Sequence, residues 1–187
     1  STAYTNSNRS GRIEEKVYDL EGGKDPEKLV EEILALNPNG IDREKQIIGK
    51  YPNTYTFSKA LTERVLKKRH GNVKLSIVRP SIVISAYEEP CIGWCESLSA
   101  MGGLLFAVML GLINYLYCNE RQILDIVPVD HCSNLILATT AYTANDKPGA
   151  FNIVHSSTSA QNPAYITPII QILTEYLANN PSHKQIF

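Results

Sequence analysis

Along this chain the spacing of apolar residues switches repeatedly between the period of a helix and the period of a strand, and few folds accommodate that order. Asp25-Pro26-Glu27 is a helix start, with a capping carboxylate and a proline at the first helical position. Leu29, Val30, Ile33, Leu34 and Leu36 follow at helical spacing, and Asn37-Pro38-Asn39-Gly40 is a stop signal. A second helix is expected from Pro52 to Arg69, with Phe57, Leu61, Val65 and Leu66 on one side and His70-Gly71-Asn72 at its end. Val73 to Val78 is a strand running into Arg79-Pro80, and Ser81 to Ala86 extends it or leads into a loop. An apolar helix from Trp94 to Tyr117, a strand from Ile123 to Val127 closed by Pro128, and a helix from Val129 to Tyr142 come next. A strand from Ala150 to Val154 and a helix from Tyr165 to Asn179 complete the series. Ser1 to Tyr4 is expected to be the end of a strand, and polar Asn6 to Gly23 a loop. Alternation of this kind implies an α/β fold whose parallel strands are joined by crossover helices on both faces, a doubly wound sheet.

The sheet is expected to be incomplete. A dinucleotide-binding α/β domain needs a glycine-rich turn after its first strand, where pyrophosphate approaches a helix N-terminus. Neither G-x-G-x-x-G nor G-x-x-G-x-x-G occurs in the 187 residues. The chain therefore reads as the second half of a domain, residues 1–187, without an internal boundary. It starts at Ser1, and no charged segment followed by an apolar one marks a leader peptide.

Composition narrows the function. With a net charge of −1, the chain has no electrostatic pull toward nucleic acid. Cys91, Cys95, Cys118 and Cys132 fit no zinc spacing, and His70, His131, His155 and His183 show no ligand spacing, so no metal is expected. The apolar run Met101 to Ile113 is shorter than the roughly 20 residues that span a bilayer. It reads as a buried helix, with an acyl-chain-lining or membrane-touching helix as the competing reading. Trp94 reads as a buried ring, with an acyl-channel wall as its alternative.

The chemistry is concentrated in Tyr51-Pro-Asn-Thr-Tyr55-Thr-Phe-Ser-Lys59-Ala-Leu. Tyr55 and Lys59 are four apart on an expected helix and so share a face. A phenol is a poor acid near neutrality, and an ammonium held beside it favours the phenolate. Such a phenol can give a proton to a carbonyl oxygen as hydride reaches the carbon. Alone, Y-x-x-x-K is a weak signal, because an exposed aromatic–cation pair has the same spacing. Its neighbours strengthen it: the hydroxyls of Ser1-Thr2 upstream, and the strand Ile77-Val78-Arg79-Pro80-Ser81-Ile82-Val83 downstream.

These segments, in this order, resemble the extended short-chain dehydrogenase/reductases, and more narrowly the male-sterility-type fatty acyl-CoA reductases. Glu89-Pro90 followed by Gly93-Trp94, then Ile126-Val127-Pro128-Val129-Asp130, then Phe151-Asn152-Ile153-Val154 are similar to the same family. The resemblance covers Ser1 to Val154. It implies a Rossmann-like fold and reduction of a long-chain fatty acyl-CoA by NADPH to a primary alcohol, through a bound aldehyde. It also implies Tyr55 as proton donor, Lys59 as its partner and ribose ligand, and Thr2, with Ser1 adjacent, as the group polarising the carbonyl. Arg79, Pro80 and Ser81 would lie beside the nicotinamide, and Asp130 would be structural. Family members work at the endoplasmic reticulum or peroxisome surface, so peripheral membrane contact of the full-length protein is implied too. NADPH over NADH rests on the resemblance alone. Two other readings compete. One is an extended reductase or epimerase acting on a sugar nucleotide, sterol or free aldehyde. The other is a non-catalytic lipid- or protein-binding module.

Overall fold

The structure, a computed structural model, describes residues 1–36, 44–97, 101–113, 115 and 117–180. The expected helix stop at Asn37-Pro38-Asn39-Gly40 lies outside the described residues, as do His183 and parts of the segment from Trp94 to Tyr117. The chain forms two compact units: Ser1–Arg79 with Ile136–His155, and Pro80–Leu135 with Ser156–Phe187.

The first unit holds helices α1 (Pro26–Leu34), α2 (Glu44–Ile48) and α3 (Thr54–Arg69). Asp25 caps α1, its carboxylate accepting the amides of Glu27 at 2.9 Å and Lys28 at 3.2 Å. Asn53 caps α3 in the same way, accepting the Thr56 amide at 2.9 Å. Lys67, Lys68 and Arg69 occupy the last turn of α3, where cations oppose the exposed carbonyls. The apolar stripe of α3 buries Phe57, Ala60 and Leu61 against Leu29 of α1 and Tyr51. Tyr51 meets Phe57 edge to face, with ring centroids 5.6 Å apart. Burial of each of the leucine and phenylalanine side chains is worth about 1.5–3 kcal/mol of transfer free energy. Lys68 pairs with Asp25 at 2.6 Å and with Glu27 at 2.7 Å, tying the end of α3 to the start of α1.

Strand β1 (Leu75–Pro80) follows α3, and it pairs with β5 (Phe151–Ser156). The turn before β5 needs a glycine: Gly149 has φ +77°, and a Cβ there would lie 3.1 Å from the Gly71 carbonyl oxygen.

The second unit contains β2 (Ile82–Ile84), α4 (Met101–Met109), β3 (Ile123–Leu124) and β4 (Ile126–Pro128). It also contains the start of α5 (Val129–Ala144), then β6 (Ala164–Tyr165) and α6 (Ile166–Asn179). Strands β2 and β4 run parallel, with Ile82 opposite Ile126 and Ile84 opposite Pro128.

The α/β class and parallel pairing expected from the sequence are present, with four departures. Ser1-Thr2 leads into a 3-10 turn, Ala3–Asn6, rather than ending a strand. Thr2 causes this, because its hydroxyl accepts the Tyr4 amide at 3.3 Å and caps the turn. The strand expected from Ile123 to Val127 breaks at Asp125, whose carboxylate turns away to accept the Thr158 amide at 2.9 Å. Partial burial opposes charge on Asp125, but hydrogen bonds from Ser159 and the Thr158 amide outweigh it and lower its pKa. The freed segment β3 then pairs antiparallel with β6, so the strands are not all parallel. Lastly, the apolar helix covers Met101–Met109 among the described residues, and none of these is fully buried; Phe106 and Met109 are exposed. The expectation of a fully buried helix is not met among the described residues: α4 packs on β2, and most of its side chains are only partly buried.

No described helix is long and apolar enough to cross a membrane.

Candidate active site

Helix α3 supplies the reactive pair. Tyr55 sits in its first turn and is 55% exposed, so its hydroxyl is accessible. Lys59 lies one turn further along and is half-buried. Its Nζ is 5.7 Å from the centre of the Tyr55 ring, so the two side chains share a face, as the i, i+4 spacing requires.

The next residue on that stripe is Glu63, another four positions along, and it is 2% exposed. Its carboxylate gathers the segments that the sequence keeps apart. The Ser1 hydroxyl donates to Glu63 Oε1 at 2.5 Å. Arg79, at the end of β1, donates from Nε to Oε1 at 2.9 Å and from Nη2 to Oε2 at 2.6 Å. Arg79 has no exposed surface. Its remaining donors go to the Lys16 carbonyl at 3.0 Å and to His155 Nε2 at 3.1 Å. A guanidinium cannot accept, so His155 Nε2 is the acceptor and its ring proton sits on Nδ1.

Thr2 is buried at 4% exposure, at the head of the 3-10 turn that packs on α3. Thr2, Tyr55 and Lys59 are thus carried by one helix and the segment laid against it.

Arg79 is enclosed by protein groups in this unit. Each of its three nitrogens has a protein partner, and its side chain braces Glu63. Pro80, half-buried, ends β1. Ser81 belongs to the second unit, where it is buried and its hydroxyl has no hydrogen-bond partner among the described residues.

Sequence reasoning missed Glu63 and His155. The usable signal was Glu63 itself: a carboxylate beside Ala60 and Leu61, on the inward side of a helix, needs a buried cation.

Asp130 at the start of α5 organises the loop that carries the Glu-Pro and Gly-Trp pairs. Its Oδ1 accepts the Tyr87 amide at 3.0 Å, and its Oδ2 accepts those of Glu88 at 2.9 Å and Glu89 at 3.2 Å. These bonds, the Tyr87 amide foremost, hold its pKa well below the usual carboxylate range. The Glu89–Pro90 peptide in that loop is cis. Trp94 is half-buried there, its carbonyl accepting the Ala86 amide at 3.0 Å.

A depressed folded-state pKa adds stability above the unfolded value, near 3.9, and loses it as pH falls toward the folded value. Asp130→Asn should therefore flatten the dependence of stability on pH below about 4. Urea denaturation of the two proteins across that range checks this. Parallel curves would show that the carboxylate does not carry the loop.

Residues 1–136 match the male sterility protein family of NAD-binding domains. The chain is similar to mouse fatty acyl-CoA reductase 2, with 36% identity over 164 residues, 87% of this chain and 31% of that protein. It is similar to Xenopus laevis fatty acyl-CoA reductase 1 at 35% identity, with the same coverage of 87% and 31%. Similarity to chicken fatty acyl-CoA reductase 1 is 31% over 182 residues, 97% of this chain and 35% of that protein. The chain thus spans about a third of the length of these relatives.

Proposed function

Since the chain belongs to the male sterility, or fatty acyl-CoA reductase, family of NAD-binding domains, we propose that α3 carries the proton-donating half of a site reducing a long-chain fatty acyl-CoA to its primary alcohol. The observation that supports this most is the accessible Tyr55 phenol with the Lys59 ammonium 5.7 Å from its ring centre. The relatives named fatty acyl-CoA reductase supply the substrate class.

The cofactor in this reading is NADPH. The donors on this face suit its nicotinamide-ribose end: Lys59 for the ribose hydroxyls and Tyr55 beside it. When bound, the nicotinamide supplies hydride to the carbonyl carbon. Thr2 polarises the carbonyl, and the adjacent Ser1 hydroxyl, whose proton goes to Glu63, could take that role only by giving up that bond. In the first reduction the carbon–sulfur bond breaks, the departing thiolate takes a proton, and an aldehyde remains. In the second, Tyr55 gives its proton to the aldehyde oxygen, and Lys59 stabilises the phenolate left behind. Both steps need the same polarised carbonyl and the same donor, so one site serves both.

The strands fit the second half of a Rossmann-like doubly wound sheet, with the pyrophosphate cradle supplied from outside this sequence. Exposed Phe106 and Met109 on α4 make that helix the natural place for peripheral contact with a membrane of the endoplasmic reticulum or peroxisome.

Product analysis tests the proposal. Full-length protein given palmitoyl-CoA and NADPH should form hexadecanol. Turnover of a sugar nucleotide, sterol or free aldehyde with none of palmitoyl-CoA would replace this reading with the competing one. Lys59→Met should raise the KM for NADPH and lower kcat, each by about tenfold or more, because it removes a charge-assisted bond to ribose as well as the phenolate's partner. An unchanged KM for NADPH would remove Lys59 from the ribose.

A further inference from the structure

Beyond the Tyr55 face, the first unit contains an open cavity of about 440 Å³ whose wall is basic. Lys24, Arg64, Lys67 and Lys68 line it, against a single carboxylate, Asp19. Lys68 is neutralised by Asp25 and Glu27. Lys24 and Lys67 make no ion pair among the described residues, and both are exposed.

Arg64 is the informative residue. It is 6% exposed. Its Nη1 donates to the Ala60 carbonyl at 2.7 Å, but its Nε, fully out of water, has no hydrogen-bond partner. No carboxylate neutralises it among the described residues. Burying a guanidinium without a counter-charge is costly, and an anion in the cavity that Arg64 lines would offset that cost. A guanidinium also matches the geometry of phosphate oxygens, and the two rim lysines add charge without adding a fixed shape.

Arg64 follows Tyr55 by nine positions, about 2.5 helical turns, which puts it on the opposite face of α3. The cavity is therefore separate from the Tyr55–Lys59 face, and it does not depend on the reaction assigned there.

We propose that this cavity is an anion site for the phosphate group of an organic phosphate, with Arg64 as its buried anchor and Lys24 and Lys67 at its rim. Inorganic pyrophosphate is the probe. It is titrated calorimetrically into the full-length protein with NADP saturating, so that any cofactor phosphate site is already filled. Saturable binding that weakens as salt rises is expected. The surface double variant Lys24→Gln with Lys67→Gln, which leaves the core untouched, should weaken it by about tenfold. Tyr55→Phe should leave it unchanged, so this test and the test of the reductase reading fail independently. Absence of saturable binding, or equal affinity in the lysine variant, would overturn the proposal.

Discussion

Replacing Tyr55 by phenylalanine in the full-length protein should lower palmitoyl-CoA-driven NADPH oxidation by about a hundredfold to ten-thousandfold, the range for removing a positioned general acid. The fold should survive, because Tyr55 is 55% exposed and the phenyl ring keeps its packing beside Lys59. Only the hydroxyl is lost. The KM for NADPH should change far less than kcat, since the ammonium that meets the ribose is still present. That contrast with Lys59→Met separates the donor from its partner. Turnover of Tyr55→Phe within a few-fold of the parent enzyme would take the proton from some other group.

The largest effect on stability is expected at Glu63. Its side chain is 3% exposed and that of Arg79 is 0% exposed, and they share two short hydrogen bonds. Glu63→Ala leaves the guanidinium buried without its counter-charge, at a cost of about 3–5 kcal/mol. For a chain of this size that lowers Tm by about 10 °C. The same substitution removes the Ser1 hydroxyl's bond to Glu63 beside the segment carrying Thr2. A double change, Glu63→Leu with Arg79→Met, removes both charges and should recover much of the lost stability, because two apolar side chains can fill the space without an uncompensated ion. It should not recover turnover fully, since the hydrogen bonds that the Glu63 carboxylate makes to Ser1 and to the end of β1 are then lost. Thermal unfolding of the single and double variants, together with their kcat, tests both halves of this. A Glu63→Ala protein that melts like the parent would mean that the carboxylate does not join these segments.

Periodicity and punctuation made the helices legible. Asp25-Pro26 and Asn53 cap α1 and α3 where helix-start chemistry places them, and α5 and α6 lie close to their expected bounds. Tyr55 and Lys59 were readable for the same reason: four residues on a capped helix fix a shared face.

What was hidden depends on contacts distant in sequence. Nothing local to Ile123–Val127 shows that Asp125 will turn toward Thr158 and split the strand. Nothing local to Ser1–Tyr4 favours a turn over a strand until the Thr2 hydroxyl finds the Tyr4 amide. The resemblance implies Arg79 beside the cofactor, and nothing local to Arg79-Pro80 shows which carboxylate it meets. The Glu63 carboxylate, 16 residues earlier in the chain, is what claims its guanidinium. The short α2 escaped detection because five residues carry too little periodicity to register.

The central claim is that the Tyr55 hydroxyl protonates the acyl-derived oxygen while Lys59 attends the cofactor ribose. A crystal structure of the full-length protein with NADPH and an unreactive acyl-CoA analogue measures this directly. The account expects Tyr55 Oη within about 2.6–3.2 Å of the carbonyl oxygen, and Lys59 Nζ at hydrogen-bonding distance from the nicotinamide ribose. A carbonyl held elsewhere, with Tyr55 facing solvent and Lys59 away from the ribose, would contradict it.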